Sequence, residues 1–275
     1  MYSESLSSSN PGLILIMIDQ SKSMSDPYDA NSSKNDFAAL AVNRVIAEVI
    51  TACTVGDEIR DRCYVAVIGY RGDEEVEVMF LKKVSELAQN TDTTTVKKKV
   101  SDGAGGLVEV DELVRVFVKP IANGGTPMAK AFKEAYEGAE RFISKYPNSF
   151  PPIVINITDG EPNEWRRSNT FKKTTEKAKQ LAQLKTTDGN IIVMNAHISA
   201  ASAGKIELPN SNASFRENEF ANFLFDISTI LPKTLAERAK EVGFNVQPNS
   251  RGFVFNADAE TLISLLNFGS LGALR

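Results

Sequence analysis

Two apolar runs, Leu13–Ile18 and Ile153–Thr158, constrain the fold of this chain more than any other feature. Each has the length of a strand and lacks the regular polar alternation of a strand with one wet face. Such runs are typical of the buried centre of a parallel sheet. An aspartate follows each run at once, Asp19 in the first case and Asp159 in the second. The carboxyl ends of parallel strands lie at one rim of the sheet, so the pattern predicts two carboxylates at that rim. This rim is where ligands bind in such sheets.

The remaining segments alternate between strand-like and helix-like patterns. Further strands are predicted at 63–70, 75–81, 191–198 and 252–257. Apolar residues at helical spacing predict helices at 37–51, 128–145, 170–184, 232–242 and 258–268. This order predicts an α/β fold with a doubly wound, mostly parallel central sheet, helices on both of its faces, and an inserted β-hairpin region.

The domain organisation follows from length and local composition. At 275 residues the chain is within the range of one α/β unit with insertions. We expect a single domain over 10–272, a polar insertion around 84–111 and a disordered tail over 1–9. The run Lys97–Lys99 in that insertion is predicted to be a solvated face. Leu113–Val118 alternates in polarity and is expected to pair with the edge strand at 75–81.

Composition and charge exclude several classes of protein. Thirty-one basic residues against 35 acidic ones give a net charge of −4, so no overall positive field favours nucleic acid. No apolar run approaches the ~20 residues that span a bilayer, and residues 1–10 lack the pattern of a secretion signal. Cys53 and Cys63 lack a CxxC spacing and are predicted to be buried, reduced thiols, with a disulfide between them as the alternative if the geometry allows it. We therefore expect a cytoplasmic protein with neither a nucleic-acid nor a membrane partner.

Three separated pieces of sequence carry the candidate functional residues. They are Asp19-Gln20-Ser21-Lys22-Ser23, Gly124-Gly125-Thr126-Pro127 and Thr158-Asp159-Gly160. Together they offer two carboxylates and three hydroxyls, from Asp19, Ser21, Ser23, Thr126 and Asp159. All five are hard oxygen donors, which suit Mg²⁺, with Mn²⁺ or Ca²⁺ as further candidates. The absence of Cys and His from this set argues against zinc.

Each piece also has an ordinary structural explanation when it is taken alone. The DxSxS segment could be a helix N-cap cluster, since Asp and Ser are favoured there. Gly-Gly-Thr-Pro could be a turn into a helix, and Thr-Asp-Gly could be a plain strand end. It is the occurrence of all three, in this order and on elements of the right type, that favours a metal site.

These residues resemble the metal-ion-dependent adhesion site of a von Willebrand factor A (VWA) domain. The family pattern is D-x-S-x-S, a distal Thr and a distal Asp in a T-D-G context, and this chain matches all of it. The resemblance implies that Ser21 and Ser23 bind the ion directly and that Thr126 does so in the partner-bound form. It implies that Asp19 and Asp159 act mainly through water. The last coordination position is then left for an Asp or Glu of a partner protein.

The opening segment, 13–24, is similar to that of the TerY-like, stand-alone bacterial members of the family. This resemblance implies an adaptor that works with a PP2C-type phosphatase or a protein kinase, in tellurium-resistance stress response or phage-defence clusters. In related adhesion domains, partner binding is coupled to sliding of the last helix, which corresponds here to 258–268.

Three functions stay open at this point. The first is a non-enzymatic, cation-dependent protein-binding module. The second is a metal-assisted phosphoester hydrolase. Two observations argue against it: an Asp-x-Asp nucleophile site needs a second carboxylate where this chain has Ser21, and the sequence lacks a GxxxxGK[ST] phosphate loop. The third is a scaffold whose ion is structural. Trp165, Arg166 and Arg167 are candidates for the rim of a protein interface, and the alternative for Trp165 is that it packs under its own loop. His197, the single histidine, is given no role.

Overall fold

The computed structural model describes residues 2–101, 106–160, 170–199 and 204–271. The strands within these ranges are β1 Gly12–Asp19, β2 Thr54–Val55, β3 Glu58–Ile59, β4 Cys63–Arg71, β5 Glu75–Lys83, β6 Thr93–Ser101, β7 Leu107–Arg115, β8 Ile153–Thr158, β9 Lys185–Thr186, β10 Gly189–Asn190, β11 Ile192–His197, β12 Ile206–Glu207 and β13 Phe253–Phe255. The helices are α1 Lys34–Ala52, α2 Val84–Ala88, α3 Met128–Lys145, α4 Thr170–Gln183, α5 Glu219–Ile227, α6 Lys233–Glu241 and α7 Ala259–Leu271, and a short 3₁₀ turn covers Lys22–Ser25.

Seven of these strands form the central sheet, in the order β12-β13-β11-β8-β1-β4-β5. The five inner strands run parallel. The two edge strands, β5 and β12, run antiparallel to their neighbours. From β1 the chain continues to β4 on one side and returns to β8 on the other, so the strand order reverses at β1. The predicted fold class, a doubly wound and mostly parallel sheet, is therefore confirmed.

Strand β1 shows how the sequence places helices on both faces. All of its residues are buried, and successive side chains point to opposite faces. Ile14, Ile16 and Ile18 pack in one core with α1, α6 and α7. Leu13, Leu15 and Met17 pack in the other core with α3, α4 and α5. A strand that is apolar at every position is stable only between two such layers, because burial of each large aliphatic side chain contributes about 1.5–3 kcal/mol.

The insertion contains a hairpin whose partner differs from the predicted one. Strand β7 pairs along its whole length with β6 in a separate two-stranded sheet, so the expectation that Leu113–Val118 pairs with the edge strand β5 is wrong. A hairpin closes a shorter loop than a pairing with β5 would, and its entropic cost is lower. An ion pair between Arg44 of α1 and Glu112, together with buried Val114, holds this hairpin against the body.

Several local features differ from the expectations. In the segment expected to be a tail, the amides of Ser3 and Glu4 donate to the Asp188 carboxylate at 2.9–3.0 Å. These bonds give the polar tail a fixed partner that its composition does not reveal. Within the polar insertion, Val84 and Leu87 belong to the core. Helix α5 lies in a region that the sequence left irregular.

Two further observations concern the cysteines and the helices. Cys53 and Cys63 are both free thiols and both buried, as predicted. No helix among the described residues is long and apolar enough to cross a bilayer.

Candidate metal centre

Asp19 lies at the carboxyl end of β1, next to the end of β8. Its side chain is fully buried. One carboxylate oxygen, Oδ1, accepts a 2.8 Å hydrogen bond from the Ser21 amide, and Oδ2 accepts a 2.7 Å bond from the Thr158 hydroxyl. Burial raises the pKa of Asp19 to about 7, against the opposing effect of the Thr158 and Ser21 hydrogen bonds. Nearby Asp159 raises it slightly further. A nearby cation would counter this cost of burying a negative charge.

Ser21, Ser23 and Asp159 form a continuous chain of oxygen atoms. The two serine hydroxyl oxygens lie 3.1 Å apart, and Ser23 Oγ donates to Asp159 Oδ1 at 2.8 Å. Asp159 directly follows β8, so this chain joins the loop after β1 to the loop after β8. The structure therefore brings Asp19, Ser21, Ser23 and Asp159 together, although they come from two distant stretches of sequence.

Thr126 is held near this cluster by its loop. The Lys22 amide donates to the Gly124 carbonyl at 2.9 Å, and the Asn123 amide donates to the Gln20 carbonyl at 2.7 Å. Thr126 is buried, and its carbonyl accepts from the Met128 amide at the start of α3. Among the described residues, its hydroxyl makes no direct hydrogen bond with the other four side chains. The structure thus ties the Thr126 loop to the DxSxS loop through backbone contacts.

The chemistry of this oxygen set fits a hard divalent cation. Neighbouring ligands on an octahedral ion with bonds of about 2.1 Å lie about 3.0 Å apart, and the Ser21 and Ser23 hydroxyl oxygens are 3.1 Å apart. Asp19 has no ion-pair partner among the described residues. No group of three or more His, Cys, Asp or Glu within the described ranges could hold a metal ion, so a cation here would depend on the serine and threonine hydroxyls.

Lys34 is a member of the site that the sequence did not reveal. Its ammonium nitrogen lies 2.7 Å from Asp159 Oδ2 and 3.6 Å from Asp26 Oδ2. Lys34 is the first residue of α1, where the helix dipole disfavours a cation. A lysine at such a position is a signal that could have pointed to a nearby carboxylate, but not to which one.

A buried polar chain runs across the sheet beneath the site. Tyr70 donates to Asn156 Oδ1 at 2.8 Å, Asn156 Nδ2 donates to Asn195 Oδ1 at 3.0 Å, and Asn195 Nδ2 donates to Ser228 Oγ at 2.9 Å. Burial, and secondarily the charge of Asp19, raise the pKa of Tyr70 well above its usual range. Asn156 interrupts an otherwise apolar run, and that interruption was the visible signal for a buried polar contact.

His197, at the end of β11, is another titratable group beside the site. Its ring stacks on Phe255 with centroids 4.3 Å apart, and its Nδ1 accepts from the Asn256 amide at 3.3 Å. Burial lowers the pKa of His197 to about 4, and the positive charge of Lys34 adds to this effect. The predicted rim residues Trp165, Arg166 and Arg167 lie outside the described residues.

Comparisons with known proteins give the fold and no family. No family model matches the chain, and no curated protein matches it. Among solved structures, the pilus adhesin SpaC from Lactobacillus rhamnosus GG is similar at 13% identity and a TM-score of 0.56, over 98% of this chain and 31% of the adhesin. This chain thus spans about a third of the adhesin's length. At that identity the likeness shows the fold alone.

Two weaker likenesses are to proteins of related architecture. The vWF domain of the type V pili tip protein Mfa5 from Porphyromonas gingivalis is 17% identical, with a TM-score of 0.34, over 58% of this chain and 40% of that one. The manganese-loaded TRAP protein of Plasmodium vivax is 15% identical, with a TM-score of 0.35, over 70% and 59% respectively. Neither score is high enough to support an argument about this chain.

Proposed function

We propose that this chain is a VWA-type, cation-dependent protein-binding module. The observation that carries the proposal is the continuous set of oxygens from Asp19 through Ser21 and Ser23 to Asp159, at the point where the strand order of the sheet reverses. Ligands of doubly wound sheets bind at this point. The donor set is all oxygen and contains a buried carboxylate without an ion-pair partner in the described structure, which favours a hard cation over an apolar ligand.

In this proposal Ser21, Ser23 and Thr126 bind Mg²⁺ directly, and Asp19 and Asp159 hold it mainly through water. Mn²⁺ or Ca²⁺ could take the same place. The ion supplies a fixed positive charge at the rim, with one position left for an Asp or Glu of the partner. A charge-assisted contact of this kind orients the partner as well as binding it.

Metal binding is tested first without any partner. Isothermal titration of the purified chain with MgCl₂ and with MnCl₂ should show one site. Ser23→Ala should weaken Mg²⁺ binding at least about tenfold, because the variant loses one charge-assisted contact with the ion. Ser25→Ala is a matched control in the same turn, because Ser25 is exposed and its hydroxyl bonds only to the Lys22 carbonyl among the described residues. Equal affinity of Ser23→Ala and wild type would contradict the proposal.

Partner binding is tested by capture from lysate on the immobilised chain, with Mg²⁺ or with EDTA. Proteins that are retained by the wild type in Mg²⁺, released by EDTA and not retained by Asp159→Ala are the candidates. The proposal further requires that an Asp or Glu of the retained protein be essential for capture. Retention that is the same with EDTA as with Mg²⁺ would argue against the module.

The more specific role is proposed from the TerY-like opening segment alone. On that basis the module is a cytoplasmic, non-enzymatic adaptor for a PP2C-type phosphatase or a protein kinase in a bacterial stress-response or phage-defence system. Identification of such an enzyme among the captured proteins supports this role. Turnover of phosphoesters by the purified chain, lost on Asp19→Ala, would favour the alternative, a metal-assisted hydrolase.

A further inference from the structure

Lys34 forms an ion pair with Asp159, a proposed ligand of the centre. Its ammonium nitrogen is 2.7 Å from Asp159 Oδ2, while Asp159 Oδ1 accepts the hydrogen bond from Ser23. The Asp159 side chain is 0% exposed and the Lys34 side chain 14% exposed. The second carboxylate near Lys34, Asp26, is more distant at 3.6 Å and largely exposed. The pair with Asp159 is therefore shielded from water and is the stronger of the two.

The local structure of α1 does not by itself favour a lysine at this position. Lys34 follows the N-cap Ser33, and Asp36 completes the capping box. The positive end of the helix dipole acts on the first turn, where acidic residues stabilise the helix and basic ones do not. The Lys34 amide donates to the Asp26 carbonyl at 3.0 Å, which fixes the start of the helix beside the site. The cost of placing an ammonium group there is offset by Asp159.

We propose that Lys34 is a built-in counter-cation that keeps the affinity of this centre for a free divalent ion low, so that stable occupancy depends on the carboxylate of the partner. This inference rests on the proposed function and names a regulatory residue for the same site. With both aspartates ionised, Lys34 reduces the charge around the ion from −2 to −1. An incoming partner carboxylate restores it to −2. Lys34 thereby couples metal binding to partner binding.

The size of the effect follows from Coulomb's law in a partly buried site. A unit charge and a divalent ion separated by several ångströms repel each other by more than the 1.4 kcal/mol that corresponds to tenfold in affinity, even at an effective dielectric constant of about 20. Mobile solvent and ions reduce this figure at the exposed rim. Removal of the Lys34 charge should therefore tighten Mg²⁺ binding by about tenfold or more.

The test compares four versions of this chain by isothermal titration with MgCl₂ alone: wild type, Lys34→Gln, Lys34→Arg and Lys22→Gln. Glutamine at position 34 keeps a donor for Asp159 and removes the charge, and arginine keeps the charge. Lys22 is a control in the metal loop, since it is exposed and has no ion pair within the described structure. We expect Lys34→Gln to bind about tenfold more tightly, with the other two variants within about twofold of the wild type.

Acetate serves as a stand-in for the partner's carboxylate. In the wild type, sodium acetate should tighten Mg²⁺ binding relative to sodium chloride at equal ionic strength, and the gain should be smaller in Lys34→Gln, because that site already has its full negative charge. Circular dichroism checks that each variant is folded. Thermal unfolding gives a second readout: the melting temperature with free Mg²⁺ should exceed the melting temperature with EDTA by more in Lys34→Gln than in the wild type.

The outcomes separate this inference from the proposed function. Wild type and Lys34→Gln binding Mg²⁺ with equal affinity, or the variant binding more weakly, would overturn the role of Lys34 and leave the proposed metal centre standing. Absence of Mg²⁺ binding in every chain would overturn both. Binding in Lys34→Gln without measurable binding in the wild type supports the inference in its strongest form.

Discussion

The Thr158 hydroxyl donates a 2.7 Å hydrogen bond to Oδ2 of Asp19, and so joins two adjacent parallel strands at their carboxyl ends. Both side chains are fully buried. The same hydroxyl oxygen accepts from the Gly160 amide at 3.2 Å, which fixes the backbone of the loop that carries Asp159. A single threonine thus orients one proposed ligand and positions the loop of the other.

Thr158→Val should therefore weaken the site without changing its ligands. Loss of the donor leaves a buried carboxylate with one fewer hydrogen bond, at a cost of about 1–3 kcal/mol in the free energy of unfolding. The pKa of Asp19 should rise further, and Mg²⁺ affinity should fall. Urea unfolding in EDTA and titration with MgCl₂ measure the two effects. Thr158→Ser keeps the hydroxyl and should retain Mg²⁺ affinity, and equal losses in Val and Ser variants would contradict this role.

The fold could be predicted because its signals are local and strong. The apolar runs of β1 and β8 differ from every polar segment around them, and the helical spacing in Met128–Lys145 matches α3 at both ends. Asp19 and Asp159 could be placed at one rim because parallel strands in a doubly wound sheet end there. Asp19 and Asp159 are adjacent because β1 and β8 are neighbours in the sheet, and this could be inferred from the expected strand order without knowledge of side-chain contacts.

The remaining features depend on contacts between residues far apart in sequence. The pair of Lys34 with Asp159 spans 125 positions, and nothing in the local sequence of either residue names the other. Strands β5 and β6 were both possible partners for β7, and hydrophobic periodicity does not indicate which of two possible partners a strand will pair with. Helix α5 was missed because Phe220, Phe223 and Phe225 suit a strand as well as a helix by composition.

Gly124 is predicted to be essential for the close approach of the Thr126 loop to the turn at Gly72. Its φ is 66°, and a Cβ at this position would meet Gly72 Cα at 2.5 Å. Gly124→Ala should destabilise the fold by more than the roughly 1 kcal/mol of a left-handed alanine, and should weaken Mg²⁺ binding through displacement of Thr126. Gly56→Ala is a matched control, because Gly56 has a φ of 61° with nothing within 4 Å of the added carbon.

Titration with MgCl₂ and urea unfolding in EDTA separate the two parts of this prediction. The Gly56 variant should lose stability only, with unchanged Mg²⁺ affinity. If Gly124→Ala and Gly56→Ala lose the same stability and both keep their Mg²⁺ affinity, the close approach of Gly124 to Gly72 does not matter for the site.

Asn156 is predicted to stabilise the floor of the site through its hydrogen bonds with Tyr70 and Asn195. Its Oδ1 accepts from Tyr70 and its Nδ2 donates to Asn195. Asn156→Ala should remove these bonds from the Tyr70 hydroxyl and from Asn195 Oδ1 in the core and cost about 2–6 kcal/mol, since each buried polar group that loses its partner costs about 1–3 kcal/mol. The double variant Asn156→Ala with Tyr70→Phe should lose less than the sum of the single losses, as a double-mutant cycle by urea unfolding would show.

His197 provides a pH test with a single reporter. The folded pKa of about 4 lies below the ordinary value of 6.5, so between these values the unfolded chain binds more protons than the folded one. His197 therefore contributes stability above pH 6.5, and this contribution is lost as the pH falls towards 4. Asp19 acts in the opposite sense, because its folded pKa of about 7 lies above 3.8. In EDTA its effect lowers the stability as the pH rises from about 4 to 7.

We therefore expect the pH dependences of stability from His197 and Asp19 to oppose each other in the wild type. In His197→Gln, the pH dependence from Asp19 should dominate. Over the window from pH 6.5 to 4, the difference between wild type and His197→Gln in the free energy of unfolding should change by on the order of 3 kcal/mol. The chain has one histidine, so its imidazole NMR signals give the pKa directly, without assignment. An imidazole that titrates near pH 6.5 in the folded chain would show that His197 is not buried against Phe255 as the structure has it.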